Sequence, residues 1–100
     1  MELREKRPLG PGYLKMYYVY VLKSLSTPRR HYIGISSDPS KRLNRHNSGR
    51  VRSTKGYRPW KVIHLEEFPD RSTANRRERY LKTLGGHAGL KSFLEEQGVW

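Results

Sequence analysis

The chain reads as an α+β domain, a small three-stranded antiparallel sheet flanked by helices. Three observations predict it. Two aromatic and β-branched runs, Tyr17 to Leu22 and His31 to Ile35, are joined by a short polar link. A third such run spans Trp60 to Phe68, and the segments between and after the runs carry the chemistry of helix starts and stops. At 100 residues there is room for one domain with a modest core.

Each element has a local cause. Residues 1–15 mix charges with Pro8, Gly10, Pro11 and Gly12 and have no apolar stretch of a signal peptide, so they are expected to be a flexible tail ahead of a domain over 16–100. The link Ser24 to Arg30, with Pro28 inside it, is too short for a parallel crossover, which predicts an antiparallel hairpin. Alternation along the first strand sets Tyr18, Tyr20 and Leu22 on one face and Tyr17, Val19 and Val21 on the other. Asp38-Pro39 starts a helix, since the carboxylate accepts from free backbone donors and proline fits the first turn; Gly49 stops it. Residues 50–59 read as basic and irregular. In the third strand Val62 alternates against Ile63 and Leu65, and Pro69 forbids continuation. Ser72 or Thr73 is expected to cap a second helix running to about Leu84, with Gly85-Gly86 as terminator. A short final helix around Leu90, Phe93 and Leu94 then closes the core.

Composition narrows the function. The 21 Lys and Arg against 9 Asp and Glu leave a net charge of +12. With a pI near 10.4, that is the electrostatic footprint of a nucleic-acid binder. A membrane partner is not expected, because no segment approaches the roughly 20 apolar residues of a span or pairs a broad apolar face with a basic one. Without cysteine there is no disulfide framework and no thiolate zinc site. The histidines His31, His46, His64 and His87 lack the i,i+4 pairing of a helical zinc motif, so any metal must be a hard one.

Several residues could carry chemistry. Between Arg71 and Leu94 the sole carboxylate is Glu78, set among cations and sharing a helical stripe with Ala74 and Leu81. It therefore faces the core or a cleft beside it, where a carboxylate needs a cation. An ion pair with Lys82 at i,i+4 would satisfy it, and so would Mg²⁺, which often takes one or two protein carboxylates plus phosphate oxygens and waters. Arg42 and His46 stand four apart and project from one helix face: a planar fork for a phosphate and a group that can hydrogen-bond it or move a proton, or simply a solvated basic face. From 41 to 61 the chain has Lys41, Arg42, Arg45, Arg50, Arg52, Lys55, Arg58 and Lys61 and no acid, a block suited to phosphate backbone. Tyr57 and Trp60 inside it could stack on bases, although a tryptophan opening a strand is commonly core. Tyrosine hydroxyls act as bases at neutral pH only where cations favour phenolate, and cations are abundant here.

Taken together, Tyr20, Tyr32-Ile33-Gly34, Arg42, His46 and Glu78, in this order and spacing, resemble the GIY-YIG nuclease superfamily, and in particular its short, stand-alone, single-domain bacterial members. The similarity covers about residues 17 to 84 and extends to His46-Asn47-Ser48-Gly49, Ser53-Thr54-Lys55, Arg58-Pro59-Trp60, Glu66-Glu67-Phe68 and Arg77-Glu78. Tyr18-Val19-Tyr20 stands where the family name has Gly-Ile-Tyr, no asparagine follows Glu78, and residues 84–89 depart from a lysine- and glycine-rich ending. The resemblance implies a divalent-metal-dependent DNA endonuclease, structure-preferring or weakly sequence-specific, acting in repair or recombination. On it, Tyr20 and Tyr32 are the active-site tyrosines, one activating water and the other orienting it or the phosphate. Arg42 stabilises charge on the phosphate, His46 contacts it or assists proton transfer, Glu78 holds Mg²⁺ or Mn²⁺, and Gly34 lets backbone approach closely behind the site. Lys41, Arg45, Arg50, Arg52, Lys55 and Arg58 would bind nucleic acid, DNA in preference to RNA. A cytoplasmic monomer or weak dimer with room for a protein partner is expected. The alternative is a basic nucleic-acid-binding module on the same fold with little or no catalysis.

Overall fold

The computed structural model describes residues 15–84 and 86–98 and is an α+β arrangement of β1 (Tyr17–Ser24), β2 (His31–Ser36), α1 (Pro39–Asn47), a 3₁₀ turn (Lys55–Tyr57), β3 (Trp60–Phe68), α2 (Arg71–Lys82) and α3 (Gly86–Glu96). All pairings are antiparallel and the strand order is β2-β1-β3, so β1 is central. The expected tail falls outside the described residues apart from Lys15.

Alternation along β1 divides the core in two, as its sequence predicts. Val19 and Val21 face α2 and α3, packing with Ala74, Leu81, Leu90 and Leu94. Tyr20 and Leu22 face the other way and pack with Trp60 under Tyr32, Leu43, Tyr57 and Val62, on the side covered by α1 and the segment after it. Five of the buried apolar side chains, Val19, Val21, Leu22, Ala74 and Leu94, are wholly inaccessible. Burying such side chains contributes about 1.5–3 kcal/mol for each Val or Leu, which anchors the sheet between its helices.

Local chemistry differs from expectation at a few points. The β1–β3 register shifts between Val21 and Leu22, so that Val21 pairs with His64 and Leu22 with Val62. The extra residue, Ile63, packs into the helix-side core, whereas Leu65 pairs with Tyr20 on the opposite face and is 48% exposed. Ile63 and Leu65 therefore do not share a face, because a bulge breaks the period of two. Asp70, not Ser72 or Thr73, caps α2: its Oδ1 accepts from the Thr73 amide at 2.7 Å, and its charge suits the positive end of the helix. That helix ends at Lys82, with Thr83 as C-cap; Gly86 opens α3 and so does not terminate α2, while Gly85 lies outside the described residues. The start of α1 is as predicted, with the Lys41 amide donating to Asp38 Oδ1 at 3.1 Å and Gly49 at φ 85° just beyond its end.

Two contacts seat α1 against the sheet. Asn47 at its last turn donates through Nδ2 to the Trp60 carbonyl at 3.0 Å and accepts from the Trp60 amide at 2.7 Å. Across the sheet, Arg77 of α2 makes a bidentate bond to Glu66 of β3 at 2.7 and 2.9 Å, and Glu66 also meets His64 at 2.8 Å. The first clamp matters most for chemistry, since it fixes the residue next to His46.

Candidate active site

β1, β2 and α1 bring four of the expected residues together. Tyr20 pairs with Gly34 across the β1–β2 ladder, and a Cβ built on Gly34 would lie 2.5 Å from the Tyr20 hydroxyl and 2.9 Å from the Tyr32 ring. The glycine thus makes room for the Tyr20 ring to lie over β2. Tyr32 stands beside it with ring centroids 6.2 Å apart, and His46 fills the angle, 6.0 Å from Tyr20 and 4.6 Å from Tyr32. Tyr20 and His46 are 1% and 0% exposed.

A chain of hydrogen bonds sets the protonation of the cluster. Thr54 Oγ1 donates to the Val51 carbonyl at 3.3 Å, which spends its single proton. Its 2.9 Å contact with His46 Nδ1 is then one in which the imidazole donates, leaving Nε2 as the acceptor. Tyr20 Oη, 3.2 Å from Nε2, therefore donates to it. Burial first, then the charges of Arg42 and Arg45, lower the His46 pKa below its ordinary value, so the ring is neutral at pH 7. Thr54, 1% exposed, is itself pinned by Trp60 Nε1, which donates to its carbonyl at 2.9 Å. Sequence reading assigned Thr54 no part in the site, because a hydroxyl in a basic loop has no periodic or charge signal.

Tyr20 is a neutral phenol. Burial pushes its pKa up to about 12, the neighbouring Tyr32 and the charge of Glu78 push the same way, and Arg42 opposes them by charge and hydrogen bonding. The cations of this chain do not make it a phenolate, since desolvation outweighs the one guanidinium that reaches it. Arg42 has a buried Nε that makes no hydrogen bond among the described residues. A buried guanidinium donor left open at a tyrosine–histidine cluster is what an anionic substrate group would satisfy.

Glu78 arrives from the other side of the sheet on α2, with its side chain 18% exposed, and its Oε2 is 3.2 Å from Lys82 Nζ. The i,i+4 pair with Lys82 that the spacing allows therefore exists, yet the carboxylate is close enough for its charge to act on Tyr20. Both statements hold at once, because Lys82 is half exposed and lies on the solvent side of the pair. No group of three His, Cys, Asp or Glu side chains forms a metal cage among the described residues. A single hard carboxylate fits Mg²⁺ or Mn²⁺, which complete their shells with substrate oxygens and water, and does not fit zinc.

The expected nucleic-acid residues Lys41, Arg45, Arg50, Arg52, Lys55 and Arg58 are all exposed. Lys41, Arg45 and Arg50 line a shallow hollow of about 270 Å³ along the outer side of α1, adjoining His46 through Arg45. Arg58 also has a structural tie, its Nε donating to the Lys55 carbonyl at 2.8 Å while its guanidinium lies against Gly49. Base stacking by Trp60 is ruled out by its burial, 4% exposed, and one face of Tyr57 is covered by Arg30, 4.4 Å from the ring centroid.

A three-stranded sheet that gathers two tyrosines, an arginine and a histidine, with a glutamate at the rim, defines a class: residues 16–91 match the GIY-YIG catalytic domain, and the chain belongs to that family. Its particular likeness is to small bacterial proteins. The UPF0213 protein lin0209 of Listeria innocua is 38% identical over 82 residues, covering 81% of this chain and 88% of its own. The solution NMR structure of the UPF0213 protein BH0048 from Bacillus halodurans has a TM-score of 0.51 and 27% identity, covering 84% of this chain and 86% of that one, and shares the α+β fold. The structure-specific endonuclease subunit SLX1 of Candida dubliniensis is 44% identical over 73 residues, 66% of this chain and 26% of that protein. The chain thus spans about a quarter of the length of these SLX1 relatives. No helix of the described residues is long and apolar enough to cross a membrane.

Proposed function

We propose that this protein is a divalent-metal-dependent endonuclease that hydrolyses DNA phosphodiesters, with a preference for branched or distorted structures over sequence. The observation that carries the proposal is the open, buried Nε of Arg42 beside a neutral Tyr20–His46 pair. A scissile phosphate seated there accepts from the guanidinium fork, which is placed to stabilise charge as it develops on the phosphoryl oxygens. Tyr20 Oη takes a proton from the attacking water as it passes its own to His46 Nε2, and Thr54 holds the imidazole by Nδ1. This assigns proton movement to Tyr20 and leaves Tyr32, packed at a tilt against the His46 ring, to orient the water or phosphate. Glu78 would hold Mg²⁺ or Mn²⁺, which when bound supplies positive charge for the leaving oxygen. Lys41, Arg45, Arg50, Arg52, Lys55 and Arg58 would run along the DNA backbone away from the cut.

The SLX1 relatives are structure-specific endonuclease subunits, and the same description applied here suggests a role in repair or recombination on cytoplasmic DNA, as a monomer or weak dimer assisted by a protein partner. The test is Mg²⁺-dependent cleavage of single-stranded, duplex, flap and branched DNA, repeated with Glu78→Gln and Tyr20→Phe. Cutting that survives both substitutions refutes the mechanism. Tight binding with no cutting of any substrate returns the protein to a basic binding module.

A further inference from the structure

A second cavity adjoins the site and takes no part in the mechanism above. It lies at the free edge of β2, between that strand and the ends of α2 and α3, and encloses about 380 Å³. Its floor is apolar: Leu81 and Leu90 are 1% and 4% exposed, and Ile33 is half-buried. Its rim is cationic, formed by Arg29, Arg30 and Lys82, and no carboxylate lines it. Two of its walls belong to the site next door. Tyr32 packs at a tilt against His46, and Lys82 pairs with Glu78.

We infer that this cleft holds one unpaired nucleotide of the substrate strand, immediately beside the scissile phosphate. The inference rests on the nuclease reading of the neighbouring site. A nucleotide has the matching chemistry, a flat and largely apolar face for the Ile33–Leu81–Leu90 floor and an anionic phosphate for the arginine and lysine rim. The volume is at the low end of the roughly 300–1,000 Å³ of small-molecule sites, enough for one nucleotide and too little for a base pair. A base held in an intact duplex would first have to leave its stack, at a cost of a few kcal/mol that is smallest for a base already unpaired. The cleft therefore selects flaps, gaps and junctions over continuous duplex without reading any base edge, and it names the substrate class: DNA with an unpaired nucleotide next to the cut. An acidic peptide carrying an apolar side chain has related chemistry and is the competing outcome that the test separates.

The probe is thymidine 5′-monophosphate, titrated into the protein while the methyl resonances of Ile33, Leu81 and Leu90 are followed by NMR, with inorganic phosphate as control. The nucleotide should move these methyls and phosphate alone should not. The variant Arg29→Glu, altered only at an exposed position, should weaken the nucleotide by about tenfold or more. The same variant should reduce the ratio of gapped to continuous duplex cut by about tenfold. Methyls that do not move, or that move equally with phosphate, overturn the inference. So does an acidic-aromatic peptide that shifts them where the nucleotide does not. The titration needs no catalysis: a protein that binds the nucleotide and cuts nothing sinks the nuclease reading and keeps the cleft, whereas one that cuts without binding it sinks the cleft alone.

Discussion

Gly34→Ala should inactivate the site with little change to the sheet. The added Cβ would stand 2.5 Å from Tyr20 Oη, 2.6 Å from its Cζ and 2.9 Å from the Tyr32 ring, against ordinary carbon contacts of about 3.5–4.0 Å. Relief requires the Tyr20 ring to move by about 1 Å, a displacement that can cost about 100-fold in rate when it misplaces a reacting group. Tyr20 cannot swing aside freely, being 1% exposed and held against His46 and Tyr32. Overpacking of this kind costs about 1–3 kcal/mol. In a domain of this size each kcal/mol is about 4–8 °C of Tm, partly offset by the better strand propensity of alanine. The assay pairs thermal unfolding with Mg²⁺-dependent cleavage of a branched duplex, using Gly56→Ala, where a Cβ meets nothing within 4 Å, as the control. A Gly34→Ala protein that cuts within about threefold of the parent would refute the ring placement on which the rate argument depends.

Other outcomes follow from the same geometry. Glu78→Gln should reduce cleavage by about 100-fold or more while the protein stays folded, and should bring the Tyr20 pKa down from about 12, since the Glu78 charge raises it; ring titration by NMR reads the second effect without any metal. Thr54→Val should leave the His46 Nδ1–H without its acceptor, costing about 1–3 kcal/mol of stability, and shift the imidazole tautomer seen in its ¹⁵N spectrum; Thr54→Ser should restore the parent spectrum. Because the folded His46 pKa lies below its ordinary 6.5, the unfolded chain binds more protons on acidification, so stability is complete above that pH and is lost as pH falls through it; a melting series from pH 8 to about 5 checks this, and His46→Asn should flatten it. Glu66, whose carboxyl is held below its ordinary 4.5 by Arg77 and His64 despite burial, adds a further loss below that value. Lys41→Ala or Arg45→Ala should each lower the slope of log affinity against log salt by about 0.9 for every duplex phosphate contact removed.

Much of this was legible in one dimension. The hairpin, the capped start of α1 and the two faces of β1 follow from short-range rules: a period of two, a proline in the first turn, a link too short to cross over. Candidate residues for the site could be named because their types and spacing form an ordered set. Where local signals competed, sequence chose wrongly: Asp70 outranked the hydroxyl residues as the cap of α2, and a bulge at Ile63 reversed the face of Leu65.

What sequence alone determined is an inventory, namely a basic α+β chain with two tyrosines, an arginine, a histidine and one glutamate in family order. Tertiary structure decided their states. Burial, which no residue reports by itself, sets the Tyr20 pKa near 12 and keeps His46 neutral, and Thr54, to which the resemblance gives no role, selects the tautomer that accepts the Tyr20 proton. It also brought Glu78 within electrostatic reach of Tyr20 while pairing it with Lys82, and hollowed a cleft beside them from three elements. The physical reason is that desolvation, charge coupling and cavity shape are sums over neighbours distant in the chain, so they exist only once the sheet and helices have closed.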